Sequence, residues 1–162
     1  KAYQRALEAI GQGNQLEGIR ILEKLVTAYP EDAVAYHDLG GLYAEQGNKN
    51  RALQNYEKAA ELGPNISLFQ QDLADFYYAV MGDVDAAIEH YSRALSCNPK
   101  DVNTLLMLGH ISVSKKKLDE AEIFYSKVLE IEPSNKDARE KRDAIEKGKY
   151  NTMTKNIKNR ES

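Results

Sequence analysis

One cysteine, four prolines and no long apolar run set the first limits on this 162-residue chain. Cys97 alone excludes an internal disulfide framework and any CxxC metal knuckle. No stretch of about 18 apolar residues occurs, so no membrane span is expected. A strong excess of either charge is also lacking, since 22 Lys/Arg against 25 Asp/Glu leave a formal net of -3. That figure hides an asymmetry: residues 1–135 hold 13 Lys/Arg against 20 Asp/Glu, whereas residues 136–162 hold 9 against 5. An acidic body is ill suited to a phosphate backbone, and no nucleic-acid partner is expected. With 42% hydrophobic residues the chain still has enough apolar surface to bury a continuous core. Lys1 already stands inside a helical pattern, so a longer parent chain is expected.

What is present is a period. Pro30, Pro64, Pro99 and Pro133 lie 34, 35 and 34 residues apart, and the residues between them repeat as well. Before Pro64 the chain reads Tyr36-x-x-Leu39-Gly40-x-x-Tyr43, then Ala52, Tyr56 and Ala59. Before Pro99 it reads Leu73-Ala74-x-x-Tyr77, then Ala87, Tyr91 and Ala94. Before Pro133 it reads Leu108-Gly109, then Ala121, Tyr125 and Val128. Gly13-Asn14, Gly47-Asn48 and Gly82-Asp83 mark a turn at the same place in three units. Glycine can end one helix in the left-handed region, and Asn or Asp can cap the next. Each unit therefore reads as two helices, with the proline ending the second. The spacing places first helices near 33–46, 66–81 and 101–114, and second helices near 49–62, 84–97 and 118–131.

A helix-turn-helix unit of about 34 residues with small residues at fixed sites resembles the tetratricopeptide repeat. The resemblance covers residues 1–133. It implies an all-α fold: a right-handed superhelix, or α-solenoid, of four repeats followed by a C-terminal capping helix. The expected division is repeats at 1–32, 33–66, 67–101 and 102–135, a cap at 134–149 stopped by Gly148, and a basic tail at 150–162. Close approach of helix backbones is expected at Gly40, Ala52, Ala59, Ala74, Ala87 and Ala94. The first unit is degenerate, with Gly18, Leu22 and Leu25 in its second helix and a turn that looks one residue short. The third unit is one residue long between Tyr77 and Gly82, which predicts a locally widened helix there.

The resemblance also implies a function, the holding of another protein, and a place for it, the concave face built from the first helix of each repeat. The matching positions are Val34, His37, Asp38, Gly41 and Glu45; Leu68, Gln71, Asp72, Asp75 and Tyr78; and Asn103, Leu106, Met107 and His110. Four are acids and none is lysine or arginine, so a peptide with basic and apolar side chains is the expected partner. Clamping of a chaperone's terminal carboxylate is excluded, because the positions that would bear cations carry Gln4, Glu8, Asp38, Leu68 and Asp72. Two alternatives stand beside the groove reading. The basic tail, with Tyr150, Met153 and Ile157 on one helical spacing, offers self-assembly as a homo-oligomer through residues 150–162. The segment also fits the regulatory or targeting part of a larger enzyme.

No catalytic constellation emerges, and neither an enzymatic activity nor a cofactor is expected. Asp83-Val-Asp85 lacks the third acid and the glycine of a calcium loop. Gly11, Gly13 and Gly18 lack the spacing of a dinucleotide loop. His37 and His110 fall in non-adjacent repeats, so no shared metal is expected, and His90 is expected on the surface. Tyr36, Tyr43, Tyr56, Tyr77, Tyr91 and Tyr125 occupy framework positions and are expected in the core.

Overall fold

A computed structural model of the protein describes the backbone of residues 1–160 and the side chains of residues 1–149. Every regular element among the described residues is helical. Four hairpins follow one another: α1 (Ala2–Gly11) with α2 (Gln15–Ala28), α3 (Ala33–Glu45) with α4 (Lys49–Leu62), α5 (Ser67–Phe76) with α6 (Val84–Cys97), and α7 (Val102–Ser114) with α8 (Leu118–Ile131). A last helix, α9 (Lys136–Arg160), packs on α8. The chain forms two compact units, Lys1–Cys97 and Asn98–Ser162.

Helix starts are written in short polar side chains. Asn14, Asp32, Asn48, Asp83, Asp101 and Asn135 each accept a hydrogen bond from the amide three residues on, at 2.7–3.3 Å. These caps satisfy amides that the first helical turn leaves without partners. Gly13, Gly47 and Gly82 take φ of 81°, 74° and 70° at the turn inside the first three hairpins. In the fourth hairpin Lys116 fills that role at φ 59°. The turn of the first hairpin is not short: Gly11 ends α1 and Asn14 caps α2, as Glu45 and Asn48 do in the second.

The surplus residue of the third repeat is absorbed where the sequence placed it. α5 runs directly into a π-helical turn, Tyr77–Met81, closed by Gly82. A single π turn inserts one residue without breaking the helix, and it redirects the side chains that follow.

Small residues let the helices of each unit meet. Ala6, Ala52, Ala59, Ala74, Ala87, Ala94 and Ala121 are all 0% exposed. Leu22, Leu39 and Leu73 are buried in the core of the first unit, and Leu105, Ile111 and Val128 in that of the second. Of the framework tyrosines, Tyr43, Tyr91 and Tyr125 are buried, while Tyr36, Tyr56 and Tyr77 are half-buried.

The expected stop at Gly148 is absent, since α9 continues through it to Arg160. Glycine inside a helix costs only about 1 kcal/mol, and here the neighbouring turn is held from outside. Ala138 and Ile145 are buried along α9, and the Lys149 ammonium pairs with Asp119 at 2.7 Å and Glu122 at 2.5 Å on α8. The side chains of Tyr150, Met153 and Ile157, on which tail-mediated assembly depends, lie outside the described residues.

Candidate functional site

The first helices of repeats two and three, α3 and α5 with the π turn that continues it, hold ten of the fourteen expected groove residues, all in the unit Lys1–Cys97. Val34 and Leu68, at the same position of successive repeats, are 45% and 52% exposed. Apolar side chains left this open on a helix face are available to a partner.

One turn along each helix the character changes to polar. The Tyr3 hydroxyl donates to Asp38 at 2.7 Å, and His37 Nε2 donates to Asp72 at 2.6 Å. Both pairs span 35 residues, so each links a first helix to the first helix of the next repeat. His37 joins the two rungs, because its Nδ1 lies 3.6 Å from Asp38. The carboxylates of Asp38 and Asp72 raise the imidazole to about 9, against the opposing effect of burial. Asp38 is lowered: burial acts to raise it, but His37 and Tyr3 outweigh that. The His37 ring stacks on Phe69 with centroids 4.8 Å apart, which fixes its plane. The ladder therefore holds an imidazolium between two carboxylates at neutral pH.

The remaining acids of this face are also engaged within the chain. Gln15 donates to Glu45 at 2.6 Å, and the Tyr91 hydroxyl donates to Asp75. Gln71 is half-buried, and Tyr78 in the π turn is 37% exposed. Sequence reading supplied the acids but missed Tyr3, Gln15 and Tyr91, which hold them. The recurring spacing of 35 residues between Tyr3 and Asp38 and between His37 and Asp72 was the available signal.

Below the ladder lies a cleft of about 350 Å³ lined by Tyr56, Asp72, Asp75, Phe76, Ala79 and Val80. Tyr56 is raised to about 12, first by burial and then by Asp72, Glu45, Asp38 and Asp75. Four carboxylates thus bear on one phenol.

The other four groove residues belong to the unit Asn98–Ser162. Asn103 is exposed, and Leu106 and Met107 are half-buried. His110 Nε2 lies 2.9 Å from Asp137 at the start of α9, so this histidine ties the last helix to α7. Among the described residues no group of three or more His, Cys, Asp or Glu is arranged to hold a metal ion. His90 is not a plain surface residue. It is half-buried, stacked on Tyr77 with ring centroids 5.6 Å apart, and its Nδ1 donates to buried Gln70 at 2.9 Å. Burial lowers its pKa.

Comparison with known proteins places these features in a family. Models described as "Tetratricopeptide repeat" match residues 33–66 and residues 81–144, together more than half of the chain. The Photosystem I assembly protein Ycf3 of Prochlorococcus marinus is 29% identical over 115 residues, which cover 65% of this chain and 66% of that protein. The human Protein O-mannosyl-transferase TMTC1 is 26% identical over 156 residues, covering 90% of this chain but 17% of that protein. The chain thus spans less than two thirds of the length of either relative. The crystal structure of YrrB, "a TPR protein with an unusual peptide-binding site", superposes with a TM-score of 0.77 at 20% identity, covering 93% of this chain and 77% of that one. Likeness at that identity shows the fold alone. Among the described residues no helix is long and apolar enough to cross a membrane. Helical repeats of this family are in general non-catalytic protein-interaction scaffolds. The chain belongs to the tetratricopeptide repeat family.

Proposed function

We propose that the chain is a non-catalytic interaction module that holds a peptide segment of a partner protein on the first-helix face of its repeats. The partner segment carries apolar and basic side chains. The observation that carries this reading is the order of features on α3 and α5: Val34 and Leu68 exposed, then the Tyr3–Asp38–His37–Asp72 ladder, then the acid-lined cleft. The apolar pair supplies surface to bury, worth about 25 cal/mol per Å² removed from water. The ladder fixes the side chains before a partner arrives, so little ordering is left to oppose binding. The four acids outnumber the single imidazolium, so basic segments are favoured over acidic ones. YrrB, named for a peptide-binding site, and the first TPR of Spaghetti (RPAP3), solved with an HSP90 peptide, support peptide holding as a use of such repeats.

The test is fluorescence anisotropy with labelled peptides of mixed apolar and basic sequence, matched against acidic ones. Saturable binding of the basic set, weakened when Val34 and Leu68 are both changed to Ser, is expected. Absence of saturable binding across the set overturns the reading.

A second reading is favoured by one observation, the alignment of 90% of this chain with 17% of a transferase. In that case the module serves a larger enzyme by positioning it or its substrate. Sequencing the complete reading frame decides this: a catalytic domain on either flank supports it, and none withdraws it.

A further inference from the structure

Among the described residues two side-chain polar atoms are sealed from water without a hydrogen bond, the Tyr125 hydroxyl and Arg142 Nε. One belongs to α8 and the other to α9, helices that pack on each other in the unit Asn98–Ser162. Arg142 has ion pairs at 3.7 Å with Asp143 and Glu146 of its own helix, whereas Tyr125 is 0% exposed. The matching tyrosine of the third repeat shows what Tyr125 lacks. Tyr91 donates its hydroxyl to Asp75 of its own first helix. In the fourth repeat His110 stands at that place, its ring centroid 5.8 Å from that of Tyr125. The imidazole is engaged elsewhere, because its Nε2 donates to Asp137, in the first turn of α9, at 2.9 Å. Burial and then Asp137 raise the Tyr125 phenol to about 12. The docking of α9 thus draws His110 to Asp137 and leaves a buried hydroxyl unmet, which disfavours the docked state.

The last helix is lightly held in other respects. It stands where a following repeat would set its first helix, as α3 packs on α2 and α5 on α4. Those first helices bury Leu39, Leu42 and Tyr43, and Phe69, Leu73 and Phe76. Among its described residues α9 buries Ala138 and Ile145 as apolar anchors. Its ionic ties to the hairpin, His110 with Asp137 and Lys149 with Asp119 and Glu122, are part-exposed and weak.

We propose that α9 is an autoinhibitory cover, and that a basic amphipathic helix of a partner protein displaces it from α8. His110 is the group that changes hands. It serves Asp137 while α9 is docked and accepts the Tyr125 hydroxyl once α9 has left. The pair Tyr91 and Asp75 shows that a side chain at this place of the first helix reaches the tyrosine hydroxyl. An imidazole nitrogen that carries no hydrogen is an acceptor. The chemistry of the occupant follows from what α9 leaves behind. A second-helix face that receives a first helix fits an apolar stripe at i, i+3, i+4 and i+7. Asp119 and Glu122, released from Lys149, match lysine or arginine near the C-terminal end of the incoming helix and repel acids there. This surface lies on α8 and is separate from the first-helix face of α3 and α5.

The experiment uses the intact chain and a labelled alanine-based helical peptide of about 15 residues, with leucine along one face and lysine in its last two turns. A second peptide carries glutamate in place of lysine. Fluorescence anisotropy reads binding, and amide exchange along residues 136–149 reads the cover. The lysine peptide is expected to bind saturably and to speed exchange in α9, and the glutamate peptide to bind about tenfold more weakly. By linkage, Ile145→Ala loosens the cover and tightens binding by at least about tenfold. Tyr125→Phe removes the hydroxyl that favours the displaced state, so binding weakens by about fivefold while the urea midpoint stays at or above wild type. Tyr91→Phe, which loses a hydrogen bond that is made, lowers the midpoint and is the control. The proposal is overturned if neither wild type nor Ile145→Ala binds the peptide, or if binding leaves α9 exchange unchanged. A Tyr125→Phe midpoint that falls as far as that of Tyr91→Phe overturns it too, since the hydroxyl is then satisfied in the docked state. Binding lost on changing Val34 and Leu68 to Ser places the peptide on the other face and has the same consequence.

Discussion

Gly40 lies so close to Tyr56 that a Cβ in its place would come within 2.7 Å of the ring's Cδ1, whereas the adjacent Gly41 has room for one. Two neighbouring helical glycines are therefore predicted to respond in opposite directions to the same change. Gly40→Ala forces the Tyr56 ring away from a packed position and costs about 1–3 kcal/mol. Gly41→Ala removes the backbone entropy of a helical glycine and stabilises by about 0.5–1 kcal/mol. Urea unfolding of the two variants checks this. Equal shifts in midpoint would show that the contact with Tyr56 does not limit the first site.

Lys116 gives a second stability test. It holds φ at 59° where the other three hairpins place Gly13, Gly47 or Gly82, and the side chain of Lys117 makes no cap to α8. A side chain in the left-handed region costs on the order of 1 kcal/mol, and a missing cap costs about the same. Lys116→Gly with Lys117→Asn rebuilds the turn seen at Gly47-Asn48 and is expected to raise stability by about 1–2 kcal/mol. Thermal unfolding followed by circular dichroism reads the change. An unchanged or lower Tm refutes it.

How much of this was legible beforehand depends on the range of the interaction involved. The helices of repeats two to four were readable to within a residue or two, because Asn48, Asp83 and the glycines before them act within a single turn. The π turn was readable as well, since one extra residue between Tyr77 and Gly82 has few ways to fit between fixed neighbours. The groove acids were readable as residues but not as pairs. Whether Asp38 meets Tyr3 is decided by how α1 and α3 pack, 35 residues apart in sequence. His90 was misread for a similar reason: its partners Tyr77 and Gln70 come from a different helix. Gly148 was misread because local propensity lost to the contacts that hold α9 on α8.

The ladder predicts a pH dependence of stability at the alkaline side. His37 is raised to about 9 in the folded protein, against about 6.5 for an unperturbed imidazole. A group raised on folding contributes stability that is complete below the unfolded value and is lost as pH rises through the folded one. The window is therefore from about pH 6.5 to about pH 9, and the loss is at most on the order of 3 kcal/mol. The tyrosines Tyr3 and Tyr56 are raised to about 12 and so stay neutral across this window. Wild type is expected to lose stability across it and His37→Gln to be nearly flat. Urea midpoints at several pH values decide, and parallel profiles would remove the ladder as their cause.

The buried anchor of α9 yields a last prediction, about a boundary of cooperativity. Ile145 is 6% exposed on α9, with buried Ala138 two turns earlier on the same face. Truncating a buried isoleucine to alanine removes apolar contact and leaves a void, at about 2–5 kcal/mol. The polar contacts that accompany it are weaker holds. Lys149 with Asp119 and Glu122 is a surface cluster, and His110 with Asp137 is part-exposed. Ile145→Ala is therefore expected to loosen α9 before the hairpin of α7 and α8 opens. Amide exchange along α9 should accelerate while the amides of α7 keep most of their protection. If exchange rises equally in α7, α8 and α9, the last helix is an integral part of the fourth repeat's cooperative unit rather than a separable cover.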